Sequence, residues 1–116
     1  MPDEFKIDTL ALERATILRV AGRLDARSAP RLLTRCGEAR QPGTPLVLNL
    51  ADVTFVSSSG VGTLLAIAEE ARLAGSGLRL AAPSAAVRSA IELLNLDQFL
   101  TIDDTEQRAL DALEAA

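Results

Sequence analysis

Three consecutive serines, Ser57-Ser58-Ser59, followed by Gly60-Val61-Gly62, are the residues of this chain with the clearest means for chemistry. They lie between an apolar strand-like run and the strongest helical pattern in the sequence, so they fall at a helix start. Free backbone N–H groups and the positive end of the helix dipole meet there, which favours an anion. A phosphoryl group on a serine hydroxyl would be such an anion, adding about −1.5 to −2 charges at neutral pH. The same residues also suit a plain helix cap and a tight turn, because serine caps helices and glycine relieves backbone crowding.

Other chemistries are removed by count. The 116 residues contain no histidine and one cysteine, Cys36. No Ser-His-Asp or Cys-His nucleophile system can be assembled from them, and an intramolecular disulfide or a Cys/His zinc site is excluded as well. Lys6 is the only lysine, so there is no Gly-x-x-x-x-Gly-Lys phosphate loop. A nucleophile elbow, Gly-x-Ser-x-Gly with a histidine partner, is also absent. No cofactor or metal is expected, and the chain is not expected to be an enzyme.

Charge and composition narrow the partners. Sixteen acidic and twelve basic residues give a net charge of −4. Nucleic-acid binding would want a basic face, and anionic membranes a basic patch. Aromatics are 3% of the chain, too few for a base-stacking platform. No apolar run approaches the roughly 20 residues needed to span a bilayer, so no membrane insertion is expected. The acidic start, Met1-Pro2-Asp3-Glu4, does not resemble a signal peptide. The expectation is a cytoplasmic protein, one domain over residues 1–116, with an aliphatic core.

The elements that would position the serines follow from periodicity. Lys6 to Leu12 and Thr16 to Ala21 read as strands joined by Glu13-Arg14-Ala15, an economical hairpin. Gly22-Arg23-Leu24-Asp25 comes next. Ser28 suits an N-cap and Pro30 a first helical turn, with Leu32, Leu33, Cys36 and Ala39 on one face. Gln41-Pro42-Gly43-Thr44-Pro45 is a turn. Leu46 to Leu50 suits a strand buried on both faces. Asp52 to Val56 leads into the serines, and Val61, Leu64, Leu65 and Ala68 mark the next helix, ended by Gly75-Ser76-Gly77. Leu78 to Ala81 is a brief strand. Pro83-Ser84 opens a helix with Val87, Ala90, Ile91 and Leu94 inward. Phe99 to Ile102 is a last strand, and Asp103 or Asp104 caps a final helix carrying Leu110 and Leu113. The order β-β-α-β-α-β-α-β-α predicts an α/β domain with a mixed sheet of four to five strands and about four flanking helices.

Asp52-Val53-x-Phe55-Val56-x-Ser58-Ser59-Gly60-Val61-Gly62-x-Leu64-Leu65 resembles the signature of the STAS family, and is most similar to small bacterial anti-sigma factor antagonists. Gly22-Arg23-Leu24-Asp25-Ala26-x-Ser28-Ala29-Pro30 resembles a second motif of that family, and the likeness extends over essentially the whole chain. The resemblance implies a protein-interaction switch. The unphosphorylated protein would bind a kinase-type anti-sigma factor and so release a sigma factor. That serine kinase would phosphorylate one serine, and a serine/threonine phosphatase would reset the switch. The family's acceptor falls on Ser58, with Ser57 and Ser59 as alternatives. Asp25, Ser57, Ser58, Ser59, Gly60 and Gly62 would form the binding surface. One departure stands out: the family's aspartate before the acceptor is Ser57 here, which can cap but carries no charge. Other family settings are a subunit binding the ATPase of a lipid-transport ATP-binding-cassette complex and a scaffold in a stress-signalling assembly.

Overall fold

In a computed structural model, which describes residues 4–115, the chain forms one five-stranded sheet and four α-helices. The expected acidic start therefore lies mostly outside the described residues. Strands β1 (Lys6–Ala11) and β2 (Thr16–Leu24) make the expected antiparallel hairpin. Strands β3 (Leu46–Val56), β4 (Leu78–Ala81) and β5 (Ile102–Asp103) follow in parallel, in the spatial order β1-β2-β3-β4-β5. Each parallel step is a crossover through a helix: α1 (Ala29–Ala39), α2 (Ser58–Leu73) and α3 (Ala85–Leu93), with α4 (Glu106–Ala115) last.

Strand alternation divides the core between the two faces of the sheet. Leu18, Val20, Leu46, Leu48, Leu50 and Leu80 meet Leu32 and Cys36 of α1, Leu64 and Ile67 of α2, and Val87 and Ile91 of α3. Ile17, Val47 and Ala81 point the other way, onto Ala109 and Leu110 of α4. The small second cluster leaves much of that face open.

Helix ends obey local chemistry. Ala74 ends α2 with Gly75 at φ 76°, where Gly75 N–H bonds Arg72 C=O at 3.1 Å and Ser76 N–H bonds Ala71 C=O at 2.9 Å. This is a Schellman ending, as the glycine predicts. Asn95, at φ 56°, does the same for α3.

Several expected boundaries move. β2 runs on through Gly22 to Leu24, because two register shifts against β3 let the strand bend without ending. β1 stops at Ala11, and Leu12 N–H bonds Ala15 C=O in the turn. β3 is continuous from Leu46 to Val56. The last strand is only Ile102–Asp103, since Phe99 turns back, its N–H on Leu96 C=O. Leu94 is the C-cap of α3 and half exposed, not inward. The cap of α4 is Thr105, whose Oγ1 accepts from Arg108 N–H at 3.0 Å. Asp103 is drawn instead into a two-bond ion pair with Arg79 across β4–β5, at 2.8 and 3.1 Å.

Candidate functional site

The serines lie where the parallel strands β2 and β3 deliver their C-terminal ends, the side on which open α/β sheets build their sites. Ser57 is the N-cap of α2, and its Oγ accepts from Gly60 N–H at 3.2 Å. Its own N–H bonds the Leu24 carbonyl at 3.0 Å, tying the helix start to the end of β2. Ser58 and Ser59 open the first turn and are exposed. Their N–H groups precede the first intrahelical bond, Val61 N–H to Ser57 C=O at 2.9 Å. No acidic residue sits in that turn, so the positive end of the helix is uncompensated.

The two glycines differ. A Cβ built on Gly60 would lie 2.4 Å from the Leu24 carbonyl oxygen and 2.8 Å from a Val56 methyl. Only glycine lets α2 seat on the strand ends there. Gly62, expected to serve a close approach as well, is exposed, and a Cβ there would meet nothing within 4 Å. Within the chain, then, Gly62 relieves no crowding.

Asp25 follows Leu24 and shapes the next turn. Its carboxylate accepts from Arg27 N–H at 3.0 Å and Ser28 N–H at 3.3 Å. The Arg27 N–H is the main reason its carboxyl is held below the usual range, with the Ser28 bonds and Arg23 adding to it against desolvation. Ser28 occupies the N-cap position of α1 but not in the expected way. Its Oγ accepts from Asp25 N–H at 3.0 Å and donates to Arg23 C=O at 2.6 Å, so it locks the turn rather than capping the helix. Pro30 sits in the first helical turn as expected.

Two residues quoted in the motifs but not expected in the binding surface join this end of the molecule. Arg23 and Phe55 are register partners across β2 and β3. The guanidinium stands 4.1 Å from the Phe55 ring centroid, and 3.7 Å from a carboxylate oxygen of Asp25. Phe55 is 38% exposed, although it is one of only three aromatics in the chain. The signal was present: Phe55 stands next to Val56 in a run whose other large residues turn inward. Cys36 stands apart in the α1 core, where burial pushes its thiol up to about 12, an inert state. Among the described residues, no group of three or more His, Cys, Asp or Glu could hold a metal. No helix among them is long and apolar enough to cross a membrane.

A model of the STAS domain family matches residues 6–109, nearly all of the sheet and helices just described. The chain belongs to the STAS domain family. An anti-sigma F factor antagonist of Lysinibacillus sphaericus is 27% identical over 109 residues, covering 92% of each chain. The crystal structure of an anti-sigma factor antagonist from Mycobacterium paratuberculosis is 27% identical, with a TM-score of 0.86 over 98% of this chain and 97% of that one. The anti-sigma factor antagonist SpoIIAA in its unphosphorylated form shares the fold at TM-score 0.71 and 23% identity, over 97% of this chain and 98% of that one. In this STAS domain the serine run, the end of β2 and the Arg23–Phe55 pair form one continuous end of the sheet.

Proposed function

We propose that this STAS domain is an anti-sigma factor antagonist whose switch is the hydroxyl of Ser58. The observation that carries the reading is the division of labour among the serines. Ser57 is committed to the cap, while Ser58 is exposed at the first position of α2, its hydroxyl making no hydrogen bond among the described residues. The geometry sets Ser57 apart from its two neighbours, and the family motif favours Ser58. Ser59, exposed one position on, is the alternative acceptor.

Unphosphorylated, the surface offers Ser58, Ser59, Gly62, Phe55 and Arg23 to an anti-sigma factor of the serine-kinase type, releasing its sigma factor. A phosphate on Ser58 is tolerated by the helix start but not by a partner packed across it. An unpaired charge buried at an interface costs several kcal/mol, and each 1.4 kcal/mol weakens binding about tenfold. A serine/threonine phosphatase restores the binding form. The domain contributes a hydroxyl, and the chemistry belongs to the kinase and phosphatase.

Ser57 in place of the family aspartate keeps the cap, so the fold of the site does not depend on a carboxylate there. The test is incubation with ATP and a serine-kinase anti-sigma factor from the same organism, followed by intact and peptide mass. One phosphate on Ser58, lost in Ser58→Ala, is expected. Absence of phosphate, together with unchanged kinase binding by Ser58→Asp, would overturn the switch.

A further inference from the structure

Most basic side chains of this acidic chain are neutralised where they stand. Among the described residues, seven of the twelve lie within 3.7 Å of a carboxylate oxygen. Lys6, Arg27, Arg31, Arg35 and Arg108 have no such partner among those residues. Arg108 is alone on α4, but the other four gather on α1, the turn before it and the strand beside it. In a protein of net charge −4, the uncompensated positive charge is therefore concentrated at one place.

Neutral groups hold these arginines in position. The Arg31 guanidinium stands 5.2 Å from the Phe5 ring centroid, and Arg35 donates to the Ile7 carbonyl at 3.3 Å. A ring face and a single carbonyl orient a guanidinium without cancelling its charge, and they leave most of its five N–H donors free. Arg27 extends the row one turn earlier, because the bond from Ala29 N–H to Asp25 C=O at 2.8 Å carries the helical turn back through it. Positions 27, 31 and 35 recur every fourth residue, so they share one face over about 12 Å. Beside that face runs a groove of about 590 Å³ between α1 and β1, where Phe5 and Pro30 supply apolar surface.

We propose that the arginine row of α1 is a docking surface for an acidic polypeptide segment of a partner protein, laid along the groove between α1 and β1. Charge complementarity selects the occupant. Arginine forks are pre-organised for carboxylates, and a pair with a carboxylate is stronger than a neutral hydrogen bond. One helical turn advances the row by about 6 Å, and alternate side chains of an extended peptide are about 6.6 Å apart. Acidic residues at every second position therefore meet the arginines in step. Glu38 and Asp8 also line the groove, so a continuous polyanion would meet repulsion beside the arginines. A peptide that carries its charges only opposite Arg27, Arg31 and Arg35 avoids it. The proposal does not rest on Ser58 as acceptor.

Fluorescence anisotropy with a labelled peptide of alternating glutamate and serine tests this. Saturable binding with Kd below about 1 mM is expected at low salt. It should weaken as salt is raised to about 0.15 M, where charges are screened beyond about 8 Å. The same peptide with glutamine for glutamate should not bind. Amide shifts in NMR should map to residues 27–35. The Arg27 and Arg31 side chains are exposed, so Arg27→Gln/Arg31→Gln should keep a near-native melting curve while weakening binding about tenfold. Arg108→Gln, which removes the unpaired arginine of α4, should leave binding unchanged. No saturation up to about 1 mM peptide overturns the proposal. So does binding that persists in the folded double variant, equal loss in Arg108→Gln, or shifts confined to residues 58–62. Tighter binding of ATP, or of phosphatidylserine vesicles, than of the peptide would assign the row to a phosphate group or a membrane and overturn it too.

Discussion

At the residue scale, the serine run shows what a motif can and cannot specify. Three adjacent hydroxyls at a helix start are equivalent in sequence, and only the backbone separates them. Ser57 is extended at ψ 175° and turns its Oγ back to Gly60 N–H, whereas Ser58 and Ser59 already belong to the helix and face outward. Ser57→Ala should therefore cost about 1 kcal/mol of stability, and Ser58→Ala less than about 0.5 kcal/mol, in urea unfolding. The glycines separate in the same way. Gly60→Ala forces a methyl against the Leu24 carbonyl and should destabilise by about 3 kcal/mol. Gly62→Ala enters open space and removes the helix penalty of glycine, so it should stabilise the free protein by about 1 kcal/mol. If Gly62→Ala also weakens binding of the anti-sigma factor, the bare backbone at 62 serves the partner. Asp25, which the family resemblance assigns to the binding surface, makes two backbone bonds that give it a turn role, with one face left for Arg23.

At the element scale, the order and type of every strand and helix were legible, because each carries its own periodicity and its own stop signal. Gly75 ending α2 and Ser84 capping α3 needed no tertiary information. The errors fall where a distant partner outbids local preference. Asp103 is a better cap than Thr105 by propensity, yet Arg79 on β4 holds it in the sheet, and the cap passes to Thr105. Arg23 and Phe55 meet only through a β2–β3 register containing two shifts, which no local pattern encodes. The tie between α4 and the sheet is equally long-range. Glu106 accepts from Arg19 at 2.7 and 3.1 Å and from Asn49 at 2.8 Å. The Arg19 hydrogen bonds are the main cause holding its carboxyl below the usual range, and the Asn49 bond adds to them. A lowered folded-state value means this contribution is complete above the unfolded value of about 4.3 and fades as pH falls through the folded one. Glu106→Gln should cost about 1 kcal/mol at neutral pH, and its deficit relative to wild type should shrink as pH drops below about 4. Urea midpoints of both proteins across that range measure it.

At the scale of the whole molecule, the question is what one phosphate does to a chain that already carries a net charge of −4. Phosphorylation takes it to roughly −6, which adds to self-repulsion. That repulsion is spread over the surface and screened beyond about 8 to 10 Å at ordinary salt. The local effect has the opposite sign. The first turn of α2 holds no acidic side chain, and a dianion there meets the positive helix end and the N–H groups of Ser58 and Ser59 at about 0.3–1 kcal/mol. The local gain should win, so the phosphorylated protein should melt at or a few degrees above the unmodified one at low salt. The difference should shrink as salt is added, while under the proposed switch binding to the anti-sigma factor should remain lost at every salt concentration. Differential scanning calorimetry of the two forms, with kinase binding measured in parallel, separates the outcomes. A lower melting temperature on phosphorylation would mean that the modification acts by loosening the start of α2. An unchanged or higher one would fit the proposed switch, in which Ser57 supplies the cap, Ser58 is the acceptor and a rigid domain changes partners through charge alone.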